Sequence, residues 1–125
     1  FPDCAVLGVC LGHQALCEAY GGQTIKAKAP MHGRASPIYH EKHLLFTDIP
    51  SPFMAGKYHS LIGNLPDVSD LVPIAWDDGG ELMAAAHRSR PHFGVQFHPE
   101  SLLTPAGRQL ISNFLVSCGG RHDLV

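Results

Sequence analysis

The first part of the chain shows an apolar run followed by a helical pattern. Residues 4–10 read CAVLGVC, a short continuous apolar run that is typical of a strand buried on both faces of a parallel sheet. Beyond Gly12, four apolar residues share one face of a predicted helix, and a glycine pair follows as a C-terminal cap. These residues are Ala15, Leu16, Ala19 and Tyr20, with the cap at Gly21-Gly22. The pattern predicts a strand, a sharp turn and a helix.

Shorter segments fill the middle of the chain, and their alternating or β-branched character predicts strands. Proline, glycine, asparagine and aspartate separate these segments and mark turns. The predicted strands cover residues 23–29, 35–40, 53–59, 71–76 and 82–87. Asp77-Asp78-Gly79-Gly80 is expected to close a hairpin between the last two of them.

The last part of the chain predicts one more strand and one more helix. Residues 92–98, HFGVQFH, read as a buried strand that Pro99 stops. Thr104-Pro105 is typical of a helix N-cap followed by proline at the first helical position. The residues that follow place an apolar face on this helix up to Gly119, formed by Leu110, Ile111, Phe114, Leu115 and Cys118.

Strands interleaved with a helix near each end predict an α/β fold. We expect a single domain over residues 1–125, with three layers and a mostly parallel sheet that carries an antiparallel hairpin portion. A doubly wound sheet usually has more strand-helix units than these. We therefore expect further N-terminal strands of the domain to precede Phe1.

Composition and charge narrow the classes of partner. Hydrophobic residues make up 45% of the chain, charged residues 16%, and the net charge is −2 without a basic stripe, which argues against a nucleic-acid surface. No apolar run approaches the ~18 residues of a membrane span. Four cysteines without a CxxC pair or regular spacing indicate free thiols in a reducing compartment such as the cytoplasm. The expected substrate is a small molecule.

The stretch VLGVCLGHQ has the layout of a nucleophile elbow with cysteine at its centre. A strand, Gly8-x-Cys10-x-Gly12 and a helix follow one another, and small neighbours let the chain bend sharply at the central residue. A helix N-terminus favours the reactive thiolate, and the N–H of Leu11 would face an oxyanion. The alternative is a buried core cysteine, and the glycines and helix start make the two readings about equal.

His98-Pro99-Glu100 is the best candidate for the base that such a thiol needs. His98 ends a predicted strand, and the C-terminal ends of parallel strands line one crevice, where Cys10 also lies. Pro99 bends the chain so that the Glu100 carboxylate can hold the imidazole tautomer. A histidine chosen at random among the nine is more often solvated or structural, which is the role expected for His13.

His40-x-x-His43 could suggest a metal site, but no carboxylate or cysteine stands at ligand spacing beside it. We expect no metal.

With these motifs the chain resembles the class I, triad-type glutamine amidotransferases. The resemblance rests on Gly8-Val9-Cys10-Leu11-Gly12-His13-Gln14 and on His98-Pro99-Glu100-Ser101. Pro30-Met31-His32-Gly33-Arg34 and Tyr58-His59-Ser60-Leu61 are similar to the glutaminase components of anthranilate synthase and aminodeoxychorismate synthase. It covers residues 4–115 and implies a flavodoxin-like three-layer fold.

The resemblance also implies residue roles. Cys10 would be the nucleophile, His98 the general base and acid, and Glu100 its orienting partner. Gln14, Ser60 and Leu61 would hold the substrate L-glutamine, with the N–H of Leu11 in the oxyanion hole. No cofactor is implied, and the ammonia would pass to a synthase subunit or fused domain that binds chorismate.

The family's glycine-rich oxyanion loop has no counterpart in this sequence, and losing one oxyanion donor can cost ~10²–10³ in rate. We therefore expect this chain alone to be weakly active or inactive. Two other readings stay open: a cysteine peptidase or isomerase of the related thiol-elbow group, and a non-catalytic regulatory subunit. Gln14, the YHSL stretch and His-Pro-Glu favour glutamine chemistry over the first, and an intact set of Cys10, His98 and Glu100 disfavours the second.

Overall fold

The structure is a computed structural model that describes residues 4–118. Six strands and two α-helices follow one another along the chain with one short 3-10 helix, η1, between the second and third strands. In chain order they are β1 (Val6–Val9), α1 (Leu11–Ala19), β2 (Gln23–His40), η1 (Leu44–Phe46), β3 (Phe53–Asn64), β4 (Leu71–Asp77), β5 (Leu82–His87), β6 (His92–Val95) and α2 (Gly107–Ser117). Within residues 4–118, no helix is long and apolar enough to cross a membrane.

The six strands form one mixed sheet in the order β1-β6-β5-β4-β2-β3. β1 and β6 are parallel, with Val6 opposite His92 and Val9 opposite Val95. The other four pairs of the described residues are antiparallel, so the sheet has fewer parallel pairs than the pattern predicted. Short connections such as Asp78–Glu81 can join only antiparallel neighbours, whereas β1 reaches β6 across the whole intervening chain. The α/β class itself is confirmed.

Neighbouring residues of β6 place the two helices on opposite faces of the sheet. The Phe93 ring contacts the Phe114 ring of α2, with centroids 5.7 Å apart. At the next residue, the space beside Gly94 is filled by the His13 ring of α1. Because successive strand residues point to opposite faces, α1 and α2 cover different sides and the domain has three layers.

The larger core contains a group of four phenylalanines, Phe46, Phe53, Phe93 and Phe97, called here the aromatic cluster. All four side chains are buried. The Phe53 ring lies 5.7 Å from that of Phe46 and 5.5 Å, edge on, from that of Phe97. These offset and edge-to-face contacts add to the stabilisation that apolar burial provides.

Two predicted strands in the middle of the chain are one strand in the structure. β2 runs without interruption from Gln23 to His40, although Pro30 and Gly33 lie inside it. Its pairing with β3 shifts register between Lys26 and Met31 and again between His32 and Arg34. Such irregularities accommodate a proline and a glycine at positive φ, so residues that usually end a strand are tolerated here.

The start of the last helix was predicted too early. α2 begins at Gly107 with Ala106 as its N-cap, not at Thr104-Pro105. The Thr104 hydroxyl is engaged elsewhere, because it accepts from the Gly56 N–H at 2.8 Å and donates to the His98 carbonyl at 2.7 Å. Thr104 therefore ties β3 to the segment after β6 instead of capping a helix.

Candidate active site

Cys10 occupies the sharp turn between β1 and α1. Its backbone has φ 54° and ψ −101°, a conformation that residues with a side chain rarely adopt. The Cys10 N–H donates to the Val95 carbonyl at 2.8 Å, and the Gln14 N–H donates to the Cys10 carbonyl at 3.0 Å. Hydrogen bonds on both sides hold a strained residue in place, and such strain is concentrated at functional sites.

The two glycines beside Cys10 have different reasons to be there. A Cβ on Gly8 would lie 2.6 Å from the carbonyl carbon and oxygen of Gly12, which are backbone atoms that cannot move aside. A Cβ on Gly12 would meet no atom within 4 Å. The expectation that both neighbours must be small therefore holds for Gly8 and is wrong for Gly12 on grounds of space.

The Cys10 thiol differs from the expectation of a thiol poised as thiolate. Partial burial raises the pKa of Cys10 above its ordinary value, and the Glu100 carboxylate raises the pKa further. Hydrogen bonds from the Leu11 N–H and the Gln96 side chain act in the opposite direction and are outweighed. The helix start acts with the predicted sign, but desolvation is the larger effect, so the resting thiol is protonated at neutral pH.

His98 and Glu100 form the pair that the sequence predicted. The imidazole Nδ1 of His98 lies 2.7 Å from the Glu100 Oε2, which leaves the other ring nitrogen of His98 available. The His98 N–H donates to the Gly56 carbonyl at 3.1 Å, in an isolated antiparallel bridge between the two residues. Since Val9 is opposite Val95, the chain leaves β1 and β6 at the same edge, with Cys10 and His98 beyond it.

Tyr58 completes the surroundings of the His98 ring. The two rings meet edge to face, with centroids 5.1 Å apart, and the Tyr58 hydroxyl lies 3.0 Å from the Ser101 hydroxyl. Tyr58, His98, Glu100 and Ser101 line an open cavity of about 360 Å³. Among the described residues no hydrogen bond joins the Cys10 thiol to the His98 ring, an arrangement that leaves space between nucleophile and base.

The residues predicted to hold glutamine lie on α1 and β3. Gln14 is buried, and its side-chain nitrogen donates to the Leu61 carbonyl at 3.0 Å. Ser60 and Leu61 are exposed next to it on β3, and Leu11 is 75% exposed at the start of α1. The structure thus joins Gln14 to Leu61 directly, while Ser60 and Leu11 present surface to the solvent.

Gln96 and Thr104 belong to the same neighbourhood, and the sequence reasoning missed both. Gln96 is fully buried, and its side-chain nitrogen lies 3.8 Å from the Cys10 sulfur. A glutamine inside the apolar run HFGVQFH was a signal, because a buried amide must find hydrogen-bond partners. Thr104 holds the His98 backbone, as described above, and its sequence position offered no comparable signal.

The histidines other than His98 have structural surroundings. His13 is fully buried, its Nε2 lies 3.8 Å from the Cys17 sulfur, and burial lowers the pKa of His13 to about 4. The His40 ring stacks on Phe46 with its Nε2 2.9 Å from the Ile49 carbonyl, and the His43 ring accepts from the Leu45 N–H. In residues 4–118 no group of three or more His, Cys, Asp or Glu could hold a metal ion.

A buried ion pair lies on the neighbouring strands β3 and β4. Lys57 Nζ donates to Asp77 Oδ2 at 3.0 Å, with both side chains more than nine-tenths buried. His59, two residues further along β3, is also buried, and burial followed by the Lys57 charge lowers the pKa of His59 to about 4. The YHSL stretch therefore presents Tyr58 to the site and packs His59 inside.

These observations define an α/β protein with a thiol at a nucleophile elbow and a histidine-carboxylate pair at the same sheet edge. The model of the glutamine amidotransferase class-I family matches residues 2–118. The chain belongs to this family.

Several curated relatives resemble the chain in sequence. It is 47% identical over 116 residues to "Anthranilate synthase component 2" of Porphyra purpurea and 44% identical over 113 residues to "Aminodeoxychorismate synthase component 2" of Escherichia coli. These matches cover 90% and 88% of this chain but 60% and 59% of the relatives. It is also 50% identical over 113 residues to "Aminodeoxychorismate synthase" of Streptomyces pristinaespiralis, covering 90% of this chain and 15% of that protein. The chain spans less than two thirds of each relative.

Solved structures share the fold. A putative GMP synthase component from Thermoplasma acidophilum superposes with a TM-score of 0.86 at 28% identity, covering 98% of this chain and 61% of that one. A glutamine amidotransferase from Thermotoga maritima superposes with a TM-score of 0.66 at 18% identity, covering 94% and 47%, and supports the fold alone. Both comparisons agree with the predicted fold class.

Proposed function

We propose that this chain is the glutaminase part of a chorismate-using synthase and that Cys10 is its nucleophile. The observation that carries the proposal is the strained elbow cysteine at the same sheet edge as the 2.7 Å His98–Glu100 pair, in a chain of the glutamine amidotransferase class-I family. Gln14, Ser60, Leu61 and the Leu11 N–H are the groups proposed to hold glutamine.

The reaction begins when the Cys10 sulfur attacks the side-chain amide carbon of L-glutamine. His98 takes the thiol proton, so the raised pKa of Cys10 is no obstacle once substrate brings the two groups together. The N–H of Leu11 donates to the oxyanion of the tetrahedral intermediate. When the C–N bond breaks, the proton on His98 leaves with the nitrogen as ammonia, and a γ-glutamyl thioester remains on Cys10.

Water completes the cycle. His98 removes a proton from a water molecule that attacks the thioester carbon, and the C–S bond breaks to release glutamate and the Cys10 thiol. Glu100 stays ionised and holds the His98 Nδ1 proton, which stabilises the imidazolium formed twice in each turnover.

We further propose that the ammonia is delivered to a chorismate-using synthase in the cytoplasm. The names of the relatives support this partner, and one of them, "Bifunctional protein TrpGD" of Thermotoga maritima, is 45% identical to this chain over 113 residues. Anthranilate and aminodeoxychorismate synthases are both represented among the relatives described above, so tryptophan and folate synthesis are both compatible with the site. That this chain alone turns over slowly stays a prediction.

A diazo-ketone analogue of glutamine tests the proposed nucleophile. We expect it to alkylate Cys10 of the chain, located by peptide mass spectrometry, and to be slowed by added L-glutamine, which competes for the same site. Cys4→Ser serves as the matched control because Cys4 is an exposed thiol away from the elbow. Labelling should be lost in Cys10→Ser and kept in Cys4→Ser.

Modification of Cys4, Cys17 or Cys118 in place of Cys10 would contradict the mechanism. Alkylation of Cys10 that glutamine does not slow, together with labelling by peptide-based electrophiles, would favour a thiol hydrolase of the same fold.

A further inference from the structure

Gln96 connects the Cys10 thiol to strand β3 through the two ends of one side-chain amide. Its oxygen accepts from the Gly63 N–H at 3.0 Å, and its nitrogen lies 3.8 Å from the Cys10 sulfur, within hydrogen-bond range for sulfur. The side chain is fully buried, so water does not compete for either end. A polar side chain placed in this way is held by the fold and points at the reacting atom.

The partner on β3 determines which way the amide faces. A backbone N–H can only donate, so the atom that meets Gly63 must be the Gln96 oxygen. The NH₂ group is then directed at Cys10, and the sulfur can only accept from it. The Gln96 backbone is fixed as well, because its N–H donates to the Met83 carbonyl of β5 at 2.8 Å.

We propose that Gln96 is a positioning residue for the Cys10 sulfur, which donates a hydrogen bond that orients the sulfur and favours its anionic form during attack on the amide carbon. This inference rests on the proposed glutaminase function and deepens it. Gln96 takes up and releases no proton and does not contact glutamine. Its effect is on the nucleophile before and during attack, and on the sulfur when it leaves the thioester.

The other groups near the sulfur give this hydrogen bond its importance. The Glu100 carboxylate and partial burial both disfavour the thiolate, while the Leu11 N–H and Gln96 favour it. His98 lies at the same sheet edge, and His13, on the helix after the elbow, is kept neutral by burial. With Gln96 removed, the Leu11 N–H remains as the neighbouring donor, and desolvation acts with less opposition.

The test compares Gln96→Met and Gln96→Glu with Gln23→Glu, a matched change of an exposed glutamine. Methionine has a similar length and no donor, whereas glutamate keeps an acceptor for Gly63 and loses the NH₂ group. The pH dependence of Cys10 alkylation by iodoacetamide measures the thiol directly and needs no glutamine turnover. The glutaminase kcat and KM are measured on the same proteins.

We expect both Gln96 variants to alkylate about tenfold more slowly at neutral pH, with the alkylation midpoint moved to higher pH, because a hydrogen bond to a charged group contributes about this much. The kcat should fall about tenfold or more while KM changes less than about twofold, and Gln23→Glu should match the wild-type protein.

Folded Gln96 variants, checked by circular dichroism, with an unchanged alkylation profile and kcat would overturn the inference. A rise in KM without a change in the alkylation profile would assign Gln96 to substrate binding and would also overturn it. Wild-type protein that releases no glutamate while its Gln96 variants still show slower Cys10 alkylation would instead contradict the proposed function and leave the inference supported.

Discussion

The interior beneath the elbow and the aromatic cluster lie on opposite sides of the same strand, β6, and are built from different chemistry. On the α1 side, Gly94 receives the His13 ring, and the chain beyond the strand places the Gln96 amide against Cys10. On the other side, Phe93 and Phe97 enter the aromatic cluster. The polar side is buried as completely as the apolar one.

This difference separates function from stability along one short segment. Buried polar groups cost free energy unless each finds a partner, so a site is expected where a chain accepts that cost. Close-packed aromatic rings stabilise the fold without offering reactive atoms. Substitutions on the two sides of β6 should therefore affect different measurements, which allows the comparison to be tested.

The largest effect on turnover, apart from loss of Cys10, is expected at the pair beside the elbow. His98→Asn should lower the kcat about 10²–10⁴-fold, because general acid-base catalysis contributes this much. Glu100→Gln should cost less, since the amide can still hold the His98 ring through its oxygen. Stopped-flow or coupled glutamate assays measure both.

Glu100→Gln also has an effect of opposite sign on the resting thiol. The Glu100 charge raises the pKa of Cys10, so its removal should lower that pKa and speed alkylation by iodoacetamide while glutamine turnover slows. Alkylation and turnover that fall together would show that Glu100 acts on Cys10 in another way.

The next effect concerns the aromatic cluster and should appear in stability alone. Phe46→Ala removes a buried ring that stacks on His40 and contacts Phe53, and should lower the free energy of unfolding by about 3–5 kcal/mol. Urea unfolding measures this loss. Under conditions where the variant stays folded, diazo-ketone labelling of Cys10 should remain within about twofold of the wild-type rate; a larger drop would mean that the two sides are coupled.

A smaller effect is expected from pH, through the buried histidines His13 and His59. The pKa of each is lowered to about 4, so between roughly pH 6.5 and 4 the unfolded chain binds protons that the folded chain does not. The free energy of unfolding should therefore fall as pH decreases through this range, by about 1.4 kcal/mol per pH unit for each histidine at most.

Urea unfolding at pH 7, 6 and 5 tests this slope, and His59→Gln should reduce it. An equal slope in the variant would show that His59 is protonated in the folded chain.

The smallest effect separates the two glycines of the elbow. Gly8→Ala would place a methyl group 2.6 Å from backbone atoms of Gly12 and should destabilise the fold, whereas Gly12→Ala meets open space in a helix and should raise stability by about 0.5–1 kcal/mol. Thermal unfolding of the two variants provides the comparison. Equal losses in both would contradict the structural difference between the glycines.

The parts of the site that sequence reasoning predicted are those set by local rules. A strand, a glycine and a helix start define the elbow at Cys10, and Pro99 bends the chain so that Glu100 returns to His98 two residues earlier. The hairpin between β4 and β5 was also predicted, because Asp77 accepts from the Gly79 and Glu81 backbones in the way that aspartate favours in turns.

The parts that sequence reasoning missed depend on partners far away in the chain. Thr104 reads as a helix cap until Gly56, 48 residues earlier, offers its N–H. The thiol of Cys10 was expected to have a depressed pKa because the helix start is local, whereas the burial that raises the pKa comes from the assembled sheet. Gln96 gains its partners from β3 and the elbow together.

The measurement that tests the account most directly is the intact mass and peptide map of the chain after it is mixed with L-glutamine and quenched with acid. Acid traps a γ-glutamyl thioester before water hydrolyses it, so we predict a glutamyl adduct on the peptide that contains Cys10 and none in Cys10→Ser. An adduct on Cys4, Cys17 or Cys118, or glutamate released by Cys10→Ser at the wild-type rate, would contradict the central claim that the elbow thiol carries the chemistry.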